Sequence, residues 1–279
     1  MAREKIAIDA WGTYVSPEGA KKWPPEFLHI FRKYKCPSTM FDGAPLEAML
    51  AEMDAAGVDR IVLSAFFYGG QWVLSNEEVA ELVRRHPDRF IGAGTVNIMQ
   101  KPMQVVREVE YLVKKLGLRC LRLEPYKYGD GMTGLPPNDK HYWPVYMKCS
   151  ELGVAVAIQV GHTGPLLPSE CGRPIYLDEV ALSFPDLTIL GCHVGQPWHE
   201  EMMVLAWKHP NVYLETSARG PRRQGTATWH SSSRVRVCRR SRRCGPSRTS
   251  RPCAHSRRCL LYTSPSPRDR TRSRMPSSA

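Results

Sequence analysis

The sequence predicts an α/β fold of the (β/α)8 TIM-barrel type in which strands one to seven are legible and strand eight is missing. Short β-branched runs alternate with amphipathic helical patterns along the chain, the signature of a parallel sheet covered by helices. Seven such units fit a closed or nearly closed barrel better than a doubly wound sheet. The glycine stretch GAGTVN (92–97) lacks the third glycine and the directly following helix of a dinucleotide fingerprint, and no phosphate-binding P-loop occurs.

The strand candidates, in order, are IAIDAW (6–11), RIVLSAF (60–66), FIGAGTVNI (90–98), RCLRLEP (119–125), VAVAIQVG (154–161), LTILGCHVG (187–195) and VYLETSA (212–218). Helical patterns between them include LEAMLAEMDAAG (46–57), NEEVAELVRRHP (76–87), QVVREVEYLVKKLG (104–117) and PWHEEMMVLAWKHP (197–210). Each repeats apolar residues at three- and four-residue steps, and several stop at Gly or His-Pro. Alternation along strand one sends Ile6 and Ile8 toward the helices and Ala7, Asp9 and Trp11 inward. On strand five it turns Val154, Val156, Ile158 and Val160 outward and Ala155, Ala157 and Gln159 inward. Arg122 and Glu124 share one face of strand four, and Glu215 and Ser217 share one face of strand seven. The segment KYGDGMTGLPPNDK (127–140) reads as a long surface loop after strand four, a lid or a plain connection.

Charge divides the chain. The total is +12, yet residues 221–279 hold 16 of the 39 Lys and Arg against one acid, Asp269, which leaves 23 basic and 26 acidic side chains in residues 1–220, a net charge of −3. The basic segment is dominated by Arg, Ser and Pro and lacks the aliphatic residues of a core. Arginine-rich tails of this kind bind nucleic acid through phosphate neutralisation. A second explanation fits better: CLLYTSPSPRD (259–269), followed after residues 270–272 by SRMPSSA, resembles the translation of a sequencing adaptor, and residues 220–258 have the composition of a GC-rich gene read out of frame. Two segments are therefore expected, a barrel at 1–219 and a non-native, disordered tail at 220–279, with no nucleic-acid partner. Genomic DNA across codons 219–225 should show a frameshift followed by an open frame for an eighth strand; an intact genomic frame encoding Arg234 to Ala279 as written overturns this.

The N-terminal segment MAREKIAIDAW has too short an apolar run for a signal peptide, and no run of about 18 apolar residues exists, so a cytoplasmic protein without membrane partners is expected. Cys36, Cys120, Cys149, Cys171 and Cys192 form no CxxC pair, and reduced thiols are the default.

Chemistry in a barrel sits at the C-terminal ends of the strands. There His193 is a candidate acid/base, since imidazole titrates near neutrality, or else a core histidine. His162 in GHTGP is a candidate for binding a substrate carboxylate or a metal and for proton transfer, or else a turn residue. Arg122 and Glu124 offer a cation for a carboxylate beside a proton-transferring carboxylate, or an internal ion pair. Trp11 would stack on an aromatic substrate or fill space. Glu215 and Ser217 are expected to be structural, no base being apparent within reach of Ser217.

The combination of IDAW (8–11), the stretch from Gln159 to Trp198 and NVYLETSA (211–218) resembles the amidohydrolase-related family, the branch of the metal-dependent hydrolase superfamily that contains aminocarboxymuconate-semialdehyde decarboxylase and related decarboxylases and hydrolases. The resemblance covers residues 4–219. It implies a (β/α)8 barrel, a small carboxylated or aromatic-derived substrate and a divalent, zinc-type metal. The family's first-strand pattern, Ile-Asp-x-His-x-His, reads here with Asp9 in place but Trp11 and Thr13 at the histidine positions; the strand-five histidine falls on Gln159, and the strand-six histidine is His193. No metal ligand is assigned in this chain. The resulting expectation is a hydrolase or carboxy-lyase in which His193, His162 and Asp9 are catalytic and Trp11, Arg122, Glu124 and Gln159 bind substrate. The alternative is a catalytically silent ligand-binding barrel. Assembly into an oligomer is compatible with this reading.

Overall fold

The computed structural model describes residues 6–218. The expectations of a missing eighth strand and of a disordered tail at 220–279 lie outside the described residues.

Strand β1 (Ile8–Gly12) is followed by three short helices, α1 (Pro17–Ala20), α2 (Pro25–Tyr34) and α3 (Thr39–Asp42), and then by α4 (Leu46–Ala56). Strand β2 (Arg60–Ser64) leads into a hairpin of β3 (Phe66–Tyr68) and β4 (Gln71–Leu74). The chain continues through α5 (Asn76–Arg85), β5 (Phe90–Gly94), α6 (Pro102–Lys114), β6 (Cys120–Leu123), α7 (Trp143–Leu152) and β7 (Ala155–Gln159). It ends with α8 (Leu177–Ser183), β8 (Ile189–Cys192), α9 (His199–Lys208) and β9 (Val212–Leu214).

Seven strands form one parallel sheet in the order β1-β2-β5-β6-β7-β8-β9, each pairing with the next in the chain once the hairpin is set aside. The sheet is strongly curled. Strands β1 and β8 are five steps apart, about 24 Å in a flat sheet at ~4.8 Å per step. Yet the ring of Trp11 on β1 lies 5.0 Å from that of His193, just after β8. The described residues thus build an incomplete (β/α) barrel.

The parity read for strand five holds, with Val154, Val156, Ile158 and Val160 in the main core and Ala155 and Ala157 on the other face. The outward residues Ile61, Leu63, Leu121, Leu123, Val156, Ile158, Ile189 and Val212 pack with the helices into the main core. Ala93, Cys120, Ala157, Leu190 and Cys192 form a smaller cluster with Trp11, Ala155 and Tyr213 on the other face. Local signals set the helices. Ser75 and Glu78 form a complete capping box on α5, and α4 and α7 stop at Gly57 and Gly153 in the left-handed conformation.

Three expectations need correction, and one unassigned segment gains a structure. Ile6 is 55% exposed because the strand starts only at Ile8. The run RIVLSAF is not one strand: β2 stops at Ser64 and Phe66 opens the hairpin, which turns at Gly69 (φ 60°) and Gly70 (φ 79°). A Gly-Gly pair between aromatic, β-prone runs is the ordinary signal for such a turn. Residues 17–42, without a sequence assignment, form α1–α3 and pack Trp23, Phe27 and Phe31 against Phe66 and Tyr126, next to the ends of β2 and β6. Finally, 127–140 is not uniformly a surface loop. The Lys127 side chain and Tyr128 are buried, the latter donating its hydroxyl to the Val96 carbonyl at 3.2 Å. A Pro-initiated turn, Pro125–Lys127, folds the chain back over the strand end and accounts for this.

Candidate functional site

The residues at the C-terminal ends of the strands converge. Arg122 projects from β6 and is almost wholly buried; one guanidinium nitrogen, Nη2, pairs with Glu124 Oε1 at 2.8 Å and another, Nη1, donates to Thr13 Oγ1 at 2.8 Å. Its guanidinium, buried, lies 3.9 Å from the centre of the Trp11 ring, a cation-π contact. The edge of Trp11 in turn meets His193, with planes at 78°. Trp11 is therefore held between the arginine and the histidine.

Glu124 is fully buried and also pairs with Lys127 Nζ. The turn that starts at Pro125 makes this contact: the Lys127 amide donates to the Glu124 carbonyl at 2.9 Å, and the side chain curls back over the carboxylate with its ammonium 3.8 Å from the Phe66 ring centre. Burial pushes the Glu124 carboxyl up, but Arg122 and Lys127 together outweigh it and hold the group below its ordinary range. Burial, partly offset by Glu124, lowers the Lys127 ammonium to about 8. Near pH 7 the trio carries two cations and one anion.

His193 begins a run of left-handed backbone, His193 (φ 69°), Val194 (φ 64°) and Gly195 (φ 77°). Left-handed valine is sterically costly, and such strain persists only where the surroundings enforce it. Here the Val194 amide donates to the Glu215 carbonyl at 3.0 Å, so the turn is tied to the segment after β9. The His193 ring nitrogen Nδ1 lies 2.7 Å from Ser217 Oγ, and the Ser217 hydroxyl donates to Glu215 Oε2 at 2.5 Å. The second oxygen, Glu215 Oε1, accepts from the Ser217 amide at 2.6 Å. Burial, reinforced by Arg122, depresses the imidazole to about 4. Burial, opposed by these hydrogen bonds and aided by Asp9, raises Glu215 to about 7.

Asp9 accepts from the Trp11 amide at 3.0 Å, and burial raises its carboxyl. Gln159 Nε2 donates to the His162 carbonyl at 2.9 Å. Gln159 Oε1 is buried and has no hydrogen-bond partner among the described residues. The His162 side chain is exposed, its Nδ1 3.0 Å from the Thr163 carbonyl.

Of the residues read from the sequence, the structure brings Trp11, Arg122, Glu124 and His193 into one connected cluster. Asp9 lies close enough to Glu215 to raise it, while Gln159 and His162 pair with each other through a backbone carbonyl. Lys127 was missed, although Pro at the residue after Glu124 signals the i,i+3 turn. The reason for setting Ser217 aside does not hold: a ring nitrogen of His193 is at hydrogen-bond distance.

The expected zinc-type metal does not fit this donor set. Among the described residues no three His, Cys, Asp or Glu are grouped to hold an ion. Trp11 and Thr13 both contact the Arg122 guanidinium, so a fixed cation already stands beside the first-strand positions. Gln159 contributes only a neutral amide oxygen, a poor partner for zinc.

A curled parallel barrel with charged and imidazole groups at its C-terminal strand ends has the architecture of a large class of barrel enzymes. Within that class the chain belongs to the family described as Amidohydrolase, which matches residues 8–242. The 2-amino-3-carboxymuconate-6-semialdehyde decarboxylase of Dictyostelium discoideum is 30% identical over 83 residues, 30% of this chain and 21% of that protein. Thus the matched stretch spans about a fifth of the curated relative. Among solved structures, an uncharacterised TIM-barrel protein from Bordetella bronchiseptica superposes with a TM-score of 0.62 at 24% identity, covering 76% of this chain and 74% of that one. A dihydroxybenzoic acid decarboxylase from Polaromonas sp. JS666, solved with bound manganese and the inhibitor 2-nitroresorcinol, superposes with a TM-score of 0.51 at 17% identity, covering 77% and 80%. Among the described residues no helix is long and apolar enough to cross a membrane.

Proposed function

We propose that the protein is an amidohydrolase-type enzyme that binds a small carboxylic acid at Arg122 and hydrolyses or decarboxylates it by acid/base chemistry at His193. The observation that carries this reading is the charge balance of the buried cluster: among the described residues Arg122 and Lys127 pair with one carboxylate, Glu124, which leaves one positive charge to be met by an anionic guest. Trp11, between Arg122 and His193, supplies a flat apolar surface for an aromatic-derived body, while the guest's carboxylate pairs with the guanidinium. His193, neutral near pH 7, is placed to take or give a proton at Nε2. Gln159 Oε1, buried and without a partner among the described residues, is a ready acceptor for a substrate hydroxyl or amine. In this reading His162 serves the exposed rim, and Asp9 acts on the electrostatics of the interior rather than on substrate. A cytoplasmic setting is part of the same proposal.

A ligand-binding barrel without turnover is the second reading, favoured by Trp11, Thr13 and Gln159 at the positions where the resembled family has histidines. The two separate on turnover. Small aromatic and aliphatic carboxylic acids are offered to the purified chain, with carbon dioxide release and acid production as readouts and carboxylate binding measured in parallel by calorimetry. Binding abolished in Arg122→Gln together with turnover supports the enzyme, binding alone supports the second reading, and no carboxylate binding overturns both.

Metal dependence gives an independent check. A catalytic zinc site takes about three protein ligands plus a water position, which this donor set does not supply. Protein purified without added zinc is expected to carry substoichiometric metal by mass spectrometry and to keep its activity after chelation. One tightly bound zinc per chain would restore the usual metal mechanism.

A further inference from the structure

We infer that Glu215 and Ser217 form a proton relay behind His193, so that the histidine gives and takes protons at Nε2 while its Nδ1 trades a proton with Ser217. The inference rests on the reading of His193 as the acid/base, and it adds two residues on the segment after β9 that act through it.

The geometry is a chain of three groups: Glu215 Oε2, the Ser217 hydroxyl 2.5 Å away, and His193 Nδ1 a further 2.7 Å on. Serine has one proton and accepts as well as donates, so it can hold two states. In the base state the Ser217 hydroxyl donates to the Glu215 carboxylate and its oxygen accepts from His193 Nδ1–H, leaving a lone pair at Nε2. In the acid state Glu215 carries a proton and donates to Ser217 Oγ, Ser217 donates to Nδ1, and the ring is protonated at Nε2. Passage from acid to base state releases one proton from Nε2 to the substrate, while Ser217 hands its proton to Nδ1 and takes the one from Glu215. Atoms and charge balance: the neutral ring stays neutral, and the negative charge appears on Glu215. The reverse passage takes a proton from substrate at Nε2.

The surroundings favour this over an imidazolium. Burial, reinforced by the fields of Arg122 and His162 and opposed by Glu124, depresses the His193 ring to about 4. An isolated histidine of that kind would be a weak general acid near neutrality. Glu215, faced by Asp9 and by the amides of His193 and Ser217, sits at about 7 and can store the proton instead. The backbone holds the chain in place, since Val194 and Glu215 are joined by a 3.0 Å hydrogen bond and the Glu215 amide donates to the Gly191 carbonyl at 2.9 Å. Glu215 and Ser217 are thus positioning residues for His193.

The test needs no substrate. The full chain is labelled with 15N in its histidine rings, the His193 signals are assigned by their loss in His193→Asn, and the ring nitrogens are followed by NMR from pH 5 to 9. The expected result is a ring that stays neutral throughout and exchanges its proton from Nε2 to Nδ1 as the pH rises through about 7. Glu215→Gln and Ser217→Ala should each abolish the exchange, and Ser217→Thr should restore it. His209, whose Nε2 lies 2.6 Å from Asp178, reports in the same spectra whether each variant is folded. Titration of wild-type His193 to an imidazolium near its ordinary midpoint overturns the relay, as does an exchange that persists in folded Ser217→Ala. Either result leaves the carboxylate-binding test of Arg122 untouched, so a failed relay and a failed enzyme assignment are told apart.

Discussion

Replacing His193 by Asn should lower turnover by about 10²- to 10⁴-fold, the usual loss when a positioned acid/base group is removed, with far less change in KM. The asymmetry follows from the division of labour in the site. Carboxylate binding belongs to Arg122, which is anchored independently by Glu124 and Thr13. Proton transfer belongs to Nε2 of the histidine, whose other nitrogen is engaged with Ser217. Asparagine keeps a side chain able to donate to Ser217 Oγ, so the turn after β8 retains a partner and the fold should survive. Steady-state kinetics on a carboxylic acid identified as substrate reads the effect; an active His193→Asn enzyme removes the histidine from the chemistry.

The largest stability effect is expected at Glu124. Glu124→Gln leaves Arg122 and Lys127 buried side by side without an anion, and removing one partner of a buried ion pair costs about 3–5 kcal/mol. In a domain of this size that corresponds to a fall in Tm on the order of 10 °C. The double change Glu124→Gln with Lys127→Met should recover part of the loss, because one cation and an amide oxygen remain where two cations repelled each other. The pH dependence has a definite sign. The Glu124 carboxyl is held below its unfolded value, so its contribution is present above the ordinary glutamate range and lost as the pH falls through the folded value. Wild type and Glu124→Gln should therefore converge in acid. Lys127, lowered to about 8, acts in the opposite range: between about pH 8 and the ordinary lysine value the unfolded chain holds a proton that the folded one has released, and stability rises with pH there. Denaturant unfolding at several pH values checks both; a Glu124→Gln loss below about 0.5 kcal/mol, the size of an ordinary surface substitution, would mean that the trio is solvated.

Glu215 and His193 illustrate a further consequence of burial. In the window between the ordinary carboxylate and imidazole values, the folded pair keeps its proton on the carboxyl and the unfolded pair keeps it on the ring. Both states then bind one proton, so the pair adds little slope to the pH dependence of stability, although both groups are far from their ordinary values.

Much of the architecture was legible in the amino-acid sequence, because period-two and period-3.6 patterns are properties of neighbouring residues. The seven parallel strands, the inward aspect of Trp11 and Ala157, and the position of His193 at a strand end all follow from such patterns. The hairpin at Phe66–Leu74 was encoded too, in Gly69-Gly70, but its short flanking runs merged with the preceding strand. Lys127 was encoded by a proline-initiated turn of three residues, too brief for any periodicity to mark.

What only the tertiary structure decided is which distant residues meet and in what medium. Arg122 donates to Thr13 across 109 residues, and His193 reaches Ser217 across 24; both contacts depend on strand register and on the curl of the sheet, which no local pattern specifies. The chemistry of these groups was decided in the same way. The sequence by itself determined that an imidazole, a guanidinium and carboxyls would stand at the strand ends, while burial and the fields of cross-barrel neighbours decided that the imidazole stays neutral, that Glu215 titrates near neutrality, and that a cation stands beside the positions where the resembled family carries its histidines.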